Sequence, residues 1–203
     1  MRTFSEIDTK AKRASKAMGF SWGIAEEIGK NIRLLELFGL PGIKHLNQYF
    51  IDYKTKQFQK VSLITKLNQS TKIPYCPIIF GINFIDQSSI LEELIEIEVK
   101  NIAYPLLFLP YLSRASEIIG KRIFLKVDEK EYLLNFNQSI LSSHLNTNMN
   151  ENAKLISLKF LENEDSFTKN EWNNLYKLSE YTFVKETDSL KEKGAGAGSI
   201  DND

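Results

Sequence analysis

The residues of this chain best suited to chemistry fall in two short segments and a terminal tail. The first segment is Ser21-Trp22-Gly23-Ile24-Ala25-Glu26-Glu27, two adjacent carboxylates close to an indole. A carboxylate beside an aromatic ring can serve as a general acid or base, or can hold an ammonium group. The same carboxylates also suit the first turn of a helix, where they meet the positive end of the macrodipole. The second segment is Pro74-Tyr75-Cys76-Pro77, followed by an apolar run to Ile85 and then Asp86. Cys76 becomes a nucleophile only if a base or a helix terminus lowers its pKa, and its bases would have to be His45 or His144. Otherwise it is a small buried hydrophobe. Asp86 and Asp128 also suit turns. An enzyme reading would bring Trp22, Glu26, Cys76 and Asp86 into one pocket.

The tail is Gly194-Ala195-Gly196-Ala197-Gly198-Ser199-Ile200-Asp201-Asn202-Asp203. Alternating glycine and alanine resembles a phosphate loop only superficially, because such a loop needs a strand before it and a helix after it. Glycine-rich chain is costly to order, so the segment reads as a flexible coil. Gly194, Gly196, Gly198, Asp201, Asn202 and Asp203 then form a tethered acidic handle for a partner to capture. Simple terminal disorder is the plain alternative.

Composition narrows the field. The chain has 26 basic and 26 acidic residues and a net charge of zero, which gives no footprint for nucleic acid or an anionic membrane. One cysteine and two histidines exclude a disulfide framework and make a metal cage an unfavourable expectation, and no cofactor fingerprint occurs. The apolar stretch Ala103–Leu112 is short for a bilayer and holds Pro105 and Pro110. The expectation is a cytoplasmic protein with no metal, cofactor, nucleic acid or membrane partner; oligomeric state is not readable.

The elements that must position these residues follow from periodicity. Ser5 and Gly19 bracket a first helix over 6–18; Ser21 and Gly39 bracket a second over 22–38. Gly23 and Gly29 inside the second imply either close backbone approach or local weakness. Pro41 starts a third, with Ile43, Leu46, Tyr49 and Phe50 inward and His45 on the surface. Ile78–Ile85 reads as a buried strand, 95–99 as a half-exposed one with Glu96 and Glu98 outward, and 105–119 as an apolar helix. A hairpin follows over 122–136, a polar loop over 137–153, a strand over 155–160, and a helix over 169–180 burying Trp172, Leu175, Tyr176 and Leu178. The fold class is α+β: a three-helix layer (1–54) on a mostly antiparallel sheet (73–184), as one domain, with a tail over 185–203.

The chain resembles a bacterial protein family known only as a domain of unknown function. The likeness rests on Ser21–Glu27 with Gly39-Leu40-Pro41-Gly42, on Cys76-Pro77-Ile78 with Gly81 and Asp86 followed by Pro105–Pro110, and on the terminal Gly-Ala-Gly-Ala-Gly-Ser-Ile-Asp-Asn-Asp. Lys185 departs from the proline associated with the family there. The resemblance implies no activity or cofactor; it implies that the tail is a family trait. The functional expectation is an accessory or carrier-type protein that presents its acidic tail to a partner enzyme of small-molecule metabolism. In the carrier form, Asp201, Asp203 or the terminal carboxylate is derivatised. Alternatives are the Trp22/Glu26/Cys76/Asp86 enzyme and a structural subunit with an exposed apolar patch near Phe108–Tyr111, while Trp22 and Glu27 are further binding candidates.

Overall fold

The computed structural model describes residues 2–135, 139–142, 150–162 and 164–183. The chain divides into two compact units, Met1–Asn163 and Glu164–Asp203. Within the described residues the protein is α+β, with seven α-helices and a mixed six-stranded sheet.

Three helices open the first unit: α1 (Phe4–Ala17), α2 (Trp22–Leu37) and α3 (Gly42–Tyr53). The cap of α1 is Thr3 and not Ser5, because Thr3 and Glu6 form a reciprocal capping box that satisfies two helix-end donors. Ser21 caps α2 as its position predicts, accepting from the Ile24 N–H. Of the two glycines in α2, only Gly29 marks a close approach: a Cβ there would lie 2.8 Å from the Asp8 carbonyl of α1, while Gly23 faces open space. On α3, Leu46, Tyr49 and Phe50 are buried as expected, whereas Ile43 is 42% exposed and His45 is 6% exposed. His45 therefore belongs to the core, edge-on to the Tyr104 ring.

The largest departure from the sequence pattern is Ile78–Ile85. It forms a helix, α4 (Pro77–Asp86), with Pro77 in its first turn and Cys76 as its cap. A short run of continuous apolar residues fits a buried strand or a buried helix equally, and here the proline start and flanking packing choose helix. A four-residue helix, α5 (Ser88–Leu91), continues from it.

The sheet runs β1 (Leu67–Gln69), β2 (Glu96–Ala103), β6 (Asn152–Leu161), β3 (Arg122–Val127), β4 (Lys130–Asn135) and β5 (Ser139–Ser142) in spatial order. Only the β1–β2 pair is parallel. Register places Ile97 opposite Leu158, Val99 opposite Ile156 and Ile123 opposite Phe160, one apolar row on one face. The other face carries Glu96, Glu98, Lys126 and Lys159, so the outward expectation for the two glutamates holds, with Lys159 3.5 Å from Glu96. The polar region 137–153 contains β5 as well as loop; residues 143–149 lie outside the described set.

Between the sheet and the N-terminal helices lies α6 (Leu109–Ile119), which touches α2, α4, β3, β4 and β5. A short 3-10 turn over Pro105–Leu107 precedes it. Phe108 and Leu109 are fully buried and Tyr111 is 1% exposed, so the apolar patch expected of a structural subunit at this position is core. Gly81 of α4 lies directly on the Tyr111 ring, and a Cβ would fall inside it.

In the second unit, α7 (Lys169–Glu180) has the boundaries that its periodicity predicts, but no residue of it is buried. Trp172, Leu175, Tyr176 and Leu178 are 51–63% exposed, which corrects the expectation that they enter a core.

The two glycine environments give a paired prediction. Gly81→Ala should lower stability by about 1–3 kcal/mol through overpacking against Tyr111. Gly23→Ala should raise it by up to about 1 kcal/mol through helix propensity alone. Urea midpoints at unchanged m-value would measure both.

Candidate functional site

The candidate site is a cleft of about 380 Å³ where the end of α3 meets the start of α4. Its walls are Tyr53, Phe58, Ile73 and Ile79; Lys56, Gln57 and Lys60 lie at the mouth, and Cys76 forms part of the floor. Backbone pairing builds it. After α3 the chain turns back, the Gln59 N–H donates to the Pro74 carbonyl at 2.9 Å, and the Cys76 N–H donates to the Gln59 carbonyl at 2.9 Å. This ladder carries Lys60 to the thiol. Tyr75 is tied in turn to β2 through the Asn101 carbonyl and the Ala103 N–H, so the cleft floor is an extension of the sheet edge.

The end of α3 that borders the cleft carries Tyr49, Asp52 and Tyr53, and Lys56 follows in the turn just past the helix. Tyr49 is fully buried, and its hydroxyl shares a 3.2 Å hydrogen bond with Cys76 Sγ. Asp52 is 8% exposed and accepts from Lys56 Nζ at 2.8 Å and from the Tyr104 hydroxyl at 2.7 Å. Those two hydrogen bonds hold the Asp52 carboxyl below its usual range despite burial. Tyr104 reaches Asp52 from a left-handed backbone conformation, φ 46°, which costs energy for a bulky residue and is held by full burial of the ring. The Tyr53 and Phe58 rings lie nearly parallel, 6.4 Å apart.

Electrostatics at the floor argue against a nucleophilic thiolate. Burial pushes the Cys76 thiol up, and the hydrogen bonds from Tyr49 and from backbone at the start of α4, with the charge of Lys60, only partly offset it. Burial likewise raises the Tyr49 phenol, and the neighbouring thiol adds to the rise. Both groups stay protonated at neutral pH, and neither has a base among the described residues: His45 lies on α3 against Tyr104, and His144 is outside the described set. Burial, with the charge of Lys44, lowers the His45 pKa, so this imidazole is neutral.

The structure does not bring the four residues of the enzyme reading together. Cys76 caps the N-terminus of α4 and Asp86 is exposed at its C-terminus, roughly 15 Å along the same helix. Trp22 is 56% exposed with the Lys16 ammonium 5.4 Å above its ring, and Glu26 is an exposed partner of Lys12 at 3.7 Å. Glu27 turns the other way, to Arg114 of α6 and to Lys30 at 3.0 Å. Burial alone would raise the Glu27 pKa, but these hydrogen bonds and charges bring it below the usual 4.5. Asn31 of α2 is buried next to Tyr111, and its side-chain amide and the Tyr111 hydroxyl have no hydrogen-bond partner among the described residues. Gly194, Gly196, Gly198, Asp201, Asn202 and Asp203 lie outside the described residues.

A larger groove of about 560 Å³ runs between α1 and α3 over Ile7, Ala11, Leu46 and Phe50. Its charged rim residues are Arg2, Glu6 and Lys10, of which Arg2 and Glu6 pair with each other at 3.7 Å, and it holds no buried polar group that could recognise a ligand. The cleft at Cys76 is smaller but is where thiol, phenol, carboxylate and ammonium groups meet. Tyr49, Asp52, Lys56, Lys60 and Tyr104 were missed from sequence. The available signal is the three- and four-residue spacing of Tyr49, Asp52 and Tyr53 at the end of the third helix.

Residues 2–75 match a family of proteins of unknown function, DUF3726. The DUF3726 segment spans α1, α2, α3 and β1 and stops one residue short of Cys76. It therefore supplies Tyr49, Asp52, Lys56 and Lys60 to the cleft but not its floor. No curated protein and no solved structure matches the chain. Among the described residues, no helix is long and apolar enough to cross a membrane, and no group of three or more His, Cys, Asp or Glu side chains could hold a metal.

Two measurements test this description. Iodoacetamide at mildly alkaline pH should label Cys76 at least about a hundredfold more slowly in native protein than in urea, because labelling waits on local opening. Glu27 has a depressed native pKa, so its contribution to stability is present above pH 4.5 and is lost as pH falls through the native value. Glu27→Gln should flatten that acid limb of a stability–pH curve while lowering stability near neutrality.

Proposed function

We propose that the protein is a cytoplasmic accessory component that works by binding another protein through its C-terminal unit. The observation that carries this reading is α7, a helix stabilised by its own ends while the described residues leave its apolar side exposed. A 12-residue helix is marginal in water. Here Thr168 and Glu171 form a capping box, and Phe167 stacks on Trp172 at 5.4 Å, a staple from the residue before the cap to the fourth helical residue. Each cap is worth about 0.5–2 kcal/mol.

Trp172, Leu175 and Tyr176 stand at i, i+3 and i+4, with Leu178 widening the stripe. That is the anchor pattern of a helix laid into a groove, and Trp and Tyr are the residues that most often dominate binding energy there. The side chains of Asp201 and Asp203 follow in the tail, so the partner we propose is a protein with an apolar groove and a cationic rim. Within this reading the tail is recognised electrostatically and the helix supplies the affinity.

The double substitution Trp172→Glu/Leu175→Glu in the full chain should weaken binding to such a partner by at least about thirtyfold, the effect of losing a hot spot of 2 kcal/mol or more. A synthetic peptide of residues 164–203 should compete. Recovery of the same partner at equal affinity by parent and double variant, with no competition by the peptide, would overturn the proposal.

A further inference from the structure

We infer that the Cys76 cleft is a binding site for a small organic anion with a planar apolar body, a second site separate from the proposed partner surface. The volume, about 380 Å³, falls in the range of small-molecule sites. The walls are apolar and aromatic, and the exposed cations are at the mouth, so the site has an orientation: body inward, charge outward.

The two lysines at the mouth are in different states. Lys56 is engaged by Asp52, which the Tyr104 hydroxyl also holds, so its ammonium is fixed in place. Lys60 has no ion-pair partner among the described residues, and its charge acts on the thiol at the floor. An unpaired ammonium beside a neutral thiol lacks a counter-charge, and a ligand carboxylate or phosphate supplies one. Lysine reads such a head group as a point charge and does not by itself separate the two. Tyr53 and Phe58 supply aromatic wall and Ile73 and Ile79 aliphatic wall for the body. The neutral Cys76 thiol at the floor, held by the buried Tyr49 hydroxyl behind it, neither binds a metal nor attacks the ligand.

NMR titration of the full chain tests this with benzoate, phenyl phosphate and the neutral isostere benzamide. Small probes of this size bind in the millimolar range at ordinary ligand efficiency. The expected result is saturable shifts at Phe58, Lys60, Cys76 and Ile79 with one or both anions and binding at least several-fold weaker for benzamide. Lys60→Met, an exposed substitution that leaves the core intact, should weaken the anion two- to fivefold, the range for a solvent-exposed ion pair. Preference between benzoate and phenyl phosphate assigns the head group. Absence of saturable shifts at these four residues, equal binding of benzamide, or unchanged binding in Lys60→Met would each overturn the inference. None of these outcomes bears on α7, so failure here leaves the partner proposal to its own test.

Discussion

The crossing of α4 over α6 at Gly81 is the contact on which the first unit turns. Backbone of α4 rests directly on the Tyr111 ring because residue 81 has no side chain. That approach lets Phe80 and Phe84 pack edge-on against Phe108, ring centroids 5.3 and 5.9 Å apart, and lets Phe84 stack over Phe160 of the sheet. Interiors packed at crystal-like density do not absorb an extra methyl here without moving a helix. A shift of α4 would carry Cys76 with it, since the thiol is the helix cap.

From that contact the rest is positioned in two directions. Toward the sheet, α6 covers the apolar row of β3 and β4, and Tyr132 is buried with its phenol pushed up to about 12 by desolvation. Toward the N-terminus, the half-buried Glu27–Arg114 ion pair ties α2 to α6. An ion pair of this kind adds little net stability compared with apolar packing. The DUF3726 segment is thereby held in register with the part of the chain that lies beyond the match.

The second unit obeys different physics. In the first unit, burial selects structure and overrides local preference, as it does at Ile78–Ile85. In α7 nothing is buried, and the helix is specified by its capping box, its staple and its residue types. A segment organised by local interactions and left apolar on one side is suited to acquire its tertiary contacts from another molecule.

Sequence alone determined the α+β class, the helix boundaries marked by Ser21 and Gly39, the alternation of Glu96 and Glu98 with apolar neighbours, and the presence of a helix at 169–180. Those are properties of local periodicity and capping, which act within a few residues. Tertiary structure decided the rest: that Ile78–Ile85 is helix, that His45 is core, that Trp172 and Leu175 are exposed, and that Cys76 meets Lys60 and Tyr49 instead of Glu26 and Asp86. Each of these depends on which surface a side chain meets after the chain has folded back on itself. Cys76 and Tyr49 are 27 residues apart and Asp52 and Tyr104 are 52 apart, separations at which no periodicity carries information and only packing does.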